Sequence, residues 1–444
     1  MSSEFLSPIT IISFDRPHYL ERVCASLKAQ RDFKFREDRV ILAQDGAVSA
    51  ITGRQAAREK DIEACVQVFR KYFPNGQILD YAHNLGIAFN IRRAEQHVFE
   101  TMDAPFGYFF EDDLELSPLY LSMMEEMRRS FRPEMRVAYW SAYGNHRQAL
   151  SGPNVNLILM EHLWGFGLFQ DAWREIMKEM EQYFSIISGR DYIYRPLITL
   201  FGLMKSREYA LESTSQDAFR ALALAKLGYA RVMTDVCFGR YIGEEGAHFS
   251  PTIFKERGFD RMRAVSEGKF SLAPVTPQVI EAARAHGEEV MRLYRQQKFD
   301  KMWEFLNQNH YDEDRLVTLQ EVEDLFRLLT DERRAAPSSL VDCVGKTSIR
   351  ELRGRLLNDF DVIFRNPPAN RQRIGRVLSN KVPEQPLSLS PVTREDVIAA
   401  YRLILGRNPE NEAVIGTHLG HANVSVLREV FINSREFRET FRSR

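Results

Sequence analysis

The chain has little excess charge, few cysteines and no long apolar run. Among 444 residues, 60 lysines and arginines stand against 61 aspartates and glutamates, a formal charge of -1. That balance holds no polyanion by counterion release, so a general nucleic-acid binder is excluded and only a local basic cleft for one nucleotide stays open. The four cysteines, Cys24, Cys65, Cys237 and Cys343, lie far apart and form no Cys-x-x-Cys pair. A zinc ribbon and a thioredoxin-like site are thereby removed, and scattered thiols suit a reducing compartment. No apolar run approaches the roughly 20 residues that a membrane span needs. Met1 to Phe5 show neither the basic nor the apolar region of a secretory signal. The expectation is a soluble protein, cytoplasmic or peripheral at the inner membrane, with no transmembrane segment. Low-complexity tracts and solenoid repeats are missing as well.

What is present is a 44% hydrophobic content, enough for a proper core. At roughly 150 residues per domain, the length predicts two or three domains. Pro8–Phe14 reads as a buried parallel strand, broken by Asp15-Arg16-Pro17. Tyr19–Gln30 follows as a helix with Leu20, Val23, Cys24 and Leu27 on one stripe. Arg39–Ala43 and Gln77–Tyr81 read as strands, with a helix over Asp61–Tyr72 between them. His83–Gly86 is a turn into a helix around Ile91–Phe99, and Phe106–Phe110 is a fourth strand closed by Glu111, Asp112 and Asp113. This alternation predicts an α/β domain with a mainly parallel sheet. Ligands of such sheets sit at the carboxyl ends of the strands. Polar pairs fall there three times, at Asp15-Arg16, Asp45-Gly46 and Asp112-Asp113. After Arg261 the pattern is helical, over Gln278–Gln297, Lys298–Asn309 and Leu319–Leu329. Breakers at Ala335–Ser339 and Asn366–Pro368, then a stretch from Val382 to Pro391 with three prolines, read as linkers. The predicted division is 1–260, 261–390 and 391–444.

The strongest local signal is the aromatic strand that delivers Glu111, Asp112 and Asp113 to its carboxyl end. Alternation lets Glu111 and Asp113 share one side while Asp112 faces the other. Hard carboxylate oxygens suit Mn²⁺ or Mg²⁺, which bridge phosphate oxygens. An acidic loop solvated at a strand end is the other reading.

Ser13-Phe14-Asp15-Arg16-Pro17, Gln44-Asp45-Gly46, His83-Asn84-Leu85-Gly86 and Glu111-Asp112-Asp113-Leu114-Glu115 occur in that order. The set resembles a GT-A-fold, Rossmann-like glycosyltransferase over roughly residues 7 to 250. It is most similar to the N-acetylglucosaminyltransferase I type, which transfers GlcNAc from UDP-GlcNAc with inversion. The resemblance implies Arg16 on the nucleotide diphosphate and Asp45 on the uracil edge. It implies His83 and Asn84 against the nucleotide or sugar, and Glu111 and Asp112 as the sugar- and ribose-side carboxylates. Asp113 would be the direct metal ligand, with His248 as a second ligand or a pyrophosphate contact. Each has a plainer reading: a helix-capping arginine, an Asp-Gly turn, a polar turn and a loop histidine. His162-Leu163-Trp164-Gly165-Phe166-Gly167 resembles the family's glycine-and-aromatic segment beneath the donor sugar. Trp164 offers a face to the sugar, and Gly165 and Gly167 permit close approach; core packing explains the same residues. An inverting transferase needs a carboxylate to take the acceptor proton. Asp217, in the first turn of a helix capped by a preceding serine or threonine, is the candidate base, with service to the helix dipole as its alternative. Gln216 stands where the family has an aromatic residue, a departure that bears on acceptor specificity.

Tyr401-Arg402-Leu403-Ile404-Leu405-Gly406-Arg407-Asn408-Pro409 and Ser434-Arg435-Glu436-Phe437 resemble a small helical domain appended to bacterial glycosyltransferases and methyltransferases. This implies a bacterial source and an interaction role, with Arg407 capping a helix or pairing with Glu436. The expected function is a metal-dependent inverting transferase acting in polysaccharide biosynthesis. It takes a UDP-sugar, GlcNAc first, to a glycan, lipid-linked or protein acceptor, and its C-terminal helices serve a homo-oligomer or protein partner. A non-catalytic scaffold in polysaccharide assembly is the alternative. A nucleotidyltransferase ranks below both, because Ser13-Phe14-Asp15-Arg16-Pro17 lacks that class's glycine-rich loop.

Overall fold

The computed structural model describes residues 7–79, 82–145, 153–244, 251–308, 311–330, 338–353, 391–432, 434 and 436–437. It divides into two compact units, 1–300 and 301–444. In the first, strands β1 (Ile9–Ser13), β2 (Val40–Gln44), β3 (Gln77–Leu79) and β4 (Phe106–Glu111) alternate with helices α1 (Pro17–Lys28), α2 (Glu59–Tyr72) and α3 (Ile87–Gln96). A short strand β5 (Leu114–Leu116) and helix α4 (Tyr120–Ser130) lead to β6 (Val137–Ser141). The irregular stretch that follows holds β7 (Asn154–Val155), β8 (Leu157–Leu159) and β9 (Phe166–Phe169), then α5 (Gln170–Ile187), α6 (Leu197–Lys205) and α7 (Gln216–Leu227). The unit closes with β10 (Ala230–Thr234), β11 (Gly239–Tyr241), α8 (Pro251–Glu256) and α9 (Pro277–Tyr294).

Eight strands form one sheet in the order β3-β2-β1-β4-β9-β6-β10-β8. The pairings β3–β2, β2–β1, β1–β4 and β6–β10 are parallel, and β9 and β8 run the opposite way. The domain is therefore α/β with a mostly parallel sheet. The reversed β9 has a local cause. It enters from the carboxyl edge after Trp164-Gly165, and Phe166 stacks on Phe109 of β4 with centroids 5.4 Å apart. Gly167 lies against the Trp140 indole, in space that a Cβ would fill, so only glycine fits between β4 and β6. Helix α3 packs on the sheet where Ile91 and Ala94 meet Ile12 and Ala43. Helix α9 lies beyond residue 260 yet packs against β8 and β10 in this same unit.

One buried ion pair ties several layers together. Glu95 of α3 and Arg220 of α7 are 0% and 1% exposed. Arg220 donates Nη1 to Glu95 Oε1 at 2.6 Å and Nη2 to Oε2 at 2.8 Å. It also donates to Tyr139 Oη of β6 at 2.8 Å and, through Nε, to Gln216 Oε1 at 2.6 Å. Trp173 Nε1 of α5 donates to Glu95 Oε2 at 3.1 Å.

The second unit is helical. Val322, Leu325 and Phe326 share one core with Val397, Ile404, Leu427 and Phe431, so residues on both sides of 354–390 build it together. Thr393 and Asp396 form a capping box at the start of the helix over Arg394–Ala400, and Arg407 Nη2 donates to Glu436 Oε2 at 2.7 Å. The linker segments expected at 366–368 and 382–390 lie outside the described residues. Among the described residues no helix is long and apolar enough to cross a membrane.

Removing one partner of a buried, fully hydrogen-bonded pair leaves a charge without compensation and costs about 3–5 kcal/mol. Arg220→Met should lower unfolding free energy by that amount in urea titration, far more than Arg58→Met of the exposed Arg58–Asp61 pair.

Candidate active site

The carboxyl ends of β1, β2, β4, β6 and β10 share one edge of the sheet, as parallel neighbours must. Helix α7 runs back antiparallel to the strand it precedes, so its first turn comes to that edge too. Arg16, at the start of α1, turns its guanidinium onto the acidic strand end. Nη2 pairs with Asp113 Oδ2 at 2.8 Å and more closely with Asp112 Oδ1. Asp112 and Asp113 are 2% and 3% exposed. Phe14 N also donates to Asp112 Oδ2 at 3.3 Å, tying the β1 loop to the same carboxylate.

The carboxyls crowd one another. Burial pushes Asp113 up to about 6, against the pull of Arg16 and with a further push from Asp112. Glu111 is pushed well above its ordinary value by burial, then by the charges of Asp113 and Asp217. Asp217, far away in sequence, is thus close enough for its charge to act on Glu111. Ser215 caps α7 by accepting from Ala218 N at 3.2 Å, as expected, but Asp217 is half-buried rather than exposed. Burial pushes it up to about 6, opposed by Arg220 and Arg231 and reinforced by Glu95. Gln216, 3% exposed, donates to Asp217 while accepting from Arg220. The residue that departs from the family pattern is therefore the link between the candidate base and the buried ion pair.

Asp45 lies at the adjacent strand end, 4% exposed. Its Oδ1 accepts from Gly46 N at 2.9 Å and Leu85 N at 2.8 Å; its Oδ2 accepts from Gly86 N at 2.9 Å and Asn84 Nδ2 at 3.1 Å. Each oxygen already carries two hydrogen bonds, so Asp45 and Asn84 clamp the 83–86 turn onto β2. His83 is exposed beside them. Gly86 needs its φ of 74° to open α3, and a Cβ there would meet Tyr192 Cβ at 2.7 Å. A second clamp holds the loop after β2: Thr52 Oγ1 donates to Asp191 Oδ2 at 2.6 Å, and Ser49 donates to Oδ1.

Trp164 is half-buried at the amino end of β9. His162 and Tyr241 both stack on its indole, at 4.5 and 4.4 Å between centroids. Gly165, with φ 53°, packs against Leu114 and Tyr120, and its carbonyl accepts from Tyr120 Oη at 2.5 Å. The close approaches at Gly165 and Gly167 are thus made by the protein's own side chains. Tyr241, which the sequence did not single out, stands by Asp113, Glu111 and Arg16, whose charges act on its hydroxyl. It comes from a small ribbon in which β11 pairs antiparallel with β5, Tyr241 opposite Leu114. Behind it, Gly243 lies so close that a Cβ would meet Asp113 Oδ2 at 2.6 Å. Arg231, beside Asp217, is pushed down to about 10 by burial.

A divalent cation such as Mn²⁺ or Mg²⁺ calls for several hard oxygen donors. Asp113 Oδ1 is buried without a hydrogen-bond partner, and a carboxylate oxygen is a hard donor. Its Oδ2 faces Arg16, and among the described residues no group of three or more His, Cys, Asp or Glu is arranged as a metal cage. His248 lies outside the described residues. The fit is therefore that of one protein oxygen, with the remaining ligands to come from elsewhere.

No protein-family model and no curated protein sequence matches the chain. Solved structures align with it at low similarity. S. aureus TarS aligns at 13% identity over 76% of this chain and 50% of its own, with a TM-score of 0.29. A structure of TarS residues 1–349 aligns at 14% identity over 76% and 83%, TM-score 0.28. A galactosyltransferase, LgtC, in complex with donor and acceptor sugar analogues, aligns at 14% identity over 59% and 98%, TM-score 0.26. The chain spans half the length of the full TarS chain and 66% of an LgtC active-site mutant. TM-scores this low carry no argument about activity.

A carboxyl whose folded pKa lies above its unfolded value destabilises the fold once it ionises. For Asp217 that penalty is absent below the ordinary pKa of about 3.9 and complete above about 6. Asp217→Asn should match the native melting temperature near pH 4 and exceed it above pH 7, read by calorimetry across that range.

Proposed function

We propose that this chain is a metal-dependent, inverting glycosyltransferase that moves a sugar, GlcNAc first among the UDP-sugars, from the nucleotide to an acceptor hydroxyl. The observation that carries the reading is the pairing of Arg16 with Asp112 and Asp113 at the sheet's carboxyl edge, where the charges of Asp113 and Asp217 both act on Glu111 and that of Asp217 on Arg231. Four carboxylates against two guanidiniums would repel a diphosphate unless a cation came with it. Asp113 would hold Mn²⁺ or Mg²⁺ through Oδ1, and the ion supplies charge neutralisation to the diphosphate when bound.

The chain's own residues then divide the work. Arg16 is placed to turn from Asp113 to a phosphate oxygen, since a guanidinium suits either partner. Asn84 and the turn held by Asp45 border the nucleotide; Asp45 acts by positioning that turn. Trp164 would border the sugar, held in place by His162 and the buried Tyr241 stacked on its indole. Asp217 takes the acceptor's hydroxyl proton as that oxygen bonds to the anomeric carbon. The bond from that carbon to the diphosphate oxygen breaks, and UDP leaves with the electron pair. Gln216 orients Asp217, and a pKa of about 6 leaves the carboxylate ionised at neutral pH while keeping it basic.

UDP release should be measured from a panel of UDP-sugars with Mn²⁺ or EDTA. Slow release from UDP-GlcNAc, lost in EDTA and in Asp113→Ala, is expected, and release from another UDP-sugar would replace the donor. Transfer should rise with pH through about 6, and Asp217→Asn should lower kcat by about 10²–10⁴-fold with donor binding unchanged. EDTA-resistant turnover would assign the cation role to Arg16 alone. No release and no binding of any UDP-sugar would leave a scaffold.

A further inference from the structure

The β5–β11 ribbon has a second face. Tyr241 points to the carboxylate cluster, so by strand alternation its neighbour Arg240 points away from it, opposite Glu115 in register. On that side lies an open groove of about 690 Å³. It is lined by Ala25 and Ser26 of α1, by Ala29 just past its end, and by residues between Asp260 and Ser266.

The charges in the groove are unbalanced. Arg22, Arg240 and Arg263 line it against only two carboxylates, Glu115 and Asp260. Arg22 Nη2 takes up Glu115 Oε2 at 2.8 Å, and the pair cancels. Arg263 Nη1 meets only carbonyls, of Asp260 at 3.2 Å and Met262 at 3.0 Å, which do not neutralise it. Arg240 Nε is buried and meets no acceptor. A buried donor without an acceptor is costly, more so on a charged group, and such an orphan facing a groove suits an anionic ligand. Ala25 and Ala29 offer no side-chain acceptor, and Ser26 Oγ is already engaged, donating to Val23 O at 2.8 Å and accepting from Leu116 N at 3.1 Å.

We propose that this groove binds an oxyanion, phosphate or carboxylate, carried on the acceptor, with Arg240 as its anchor and Arg263 as a second contact. Guanidinium forks match both groups bidentately. Because Arg240 and Tyr241 are consecutive, an acceptor held by its anionic group in the groove lies one ribbon's thickness from the site. The link to the acceptor rests on the transferase reading; the anion site itself does not.

The test measures binding of inorganic phosphate and of acetate by calorimetry at fixed ionic strength. The proteins are the full chain, Arg240→Gln, Arg263→Ala and Arg16→Ala, each checked by its melting temperature. The expected result is weak binding of at least one anion, reduced tenfold or more in Arg240→Gln and less in Arg263→Ala, and retained in Arg16→Ala. Phosphate without acetate points to a phosphate-bearing acceptor, and acetate without phosphate to a uronate-like one. Binding that persists in Arg240→Gln and vanishes in Arg16→Ala, or no binding of either anion, overturns the proposal. UDP-sugar hydrolysis should be equal in the native protein and Arg240→Gln. Its absence from both would sink the transferase reading while leaving the anion result to stand or fall alone.

Discussion

The ion pair between Glu95 and Arg220 is the constraint on which the candidate site depends. Two charges almost wholly removed from water persist only because nearly every donor and acceptor on them is met, by Tyr139, Trp173 and Gln216. That requirement sets the distances among α3, α5, α7 and β6. It also fixes Gln216, and through Gln216 the side chain of Asp217. A titratable carboxyl in the first turn of a helix would ordinarily choose among rotamers in solvent. Here one oxygen is held by an amide that is itself held by a buried guanidinium.

The same edge of the sheet shows the opposite condition. Glu111, Asp113 and Asp217 are each raised first by burial, Glu111 then by the charges of Asp113 and Asp217, Asp113 by Asp112 and Asp217 by Glu95, and Asp113 keeps an oxygen with no partner. The fold tolerates this because its other layers are closely packed, as at Gly167 beneath Trp140. Buried carboxyls with raised pKa values, gathered where parallel strands end, mark the candidate functional site. Arg16 supplies the compensating charge, on a side chain long enough to move between partners.

Much of this was legible in the sequence. Short β-branched runs ending in Asp15-Arg16, Asp45-Gly46 and Glu111–Asp113 mark strands and their carboxyl ends, since burial on both faces demands an apolar run and the loop beyond it a polar one. The capping pattern before Asp217 and the Thr393–Asp396 box are equally local. The strand order through β6, β9 and β10 was not legible, because β9 runs against its neighbours and its glycines serve packing with Trp140 and Tyr120. No periodicity announces that. Helix α9 joins the first unit for the same reason: an apolar stripe does not name the surface that will cover it.

The sequence by itself determined the α/β alternation, the strand ends where polar residues gather, and the residue types available there. Those follow from side-chain period, turn chemistry and capping, which act over a few residues. Tertiary structure alone decided that the charge of Asp217 reaches Glu111, that Arg16 pairs with both Asp112 and Asp113, and that both oxygens of Asp45 are taken up by its own turn. It also decided that Tyr241 and Arg240 face opposite ways from one ribbon. Each of these depends on contacts between segments 30 to more than 100 residues apart, and only the closing of the sheet and its buried charges brings such segments into register.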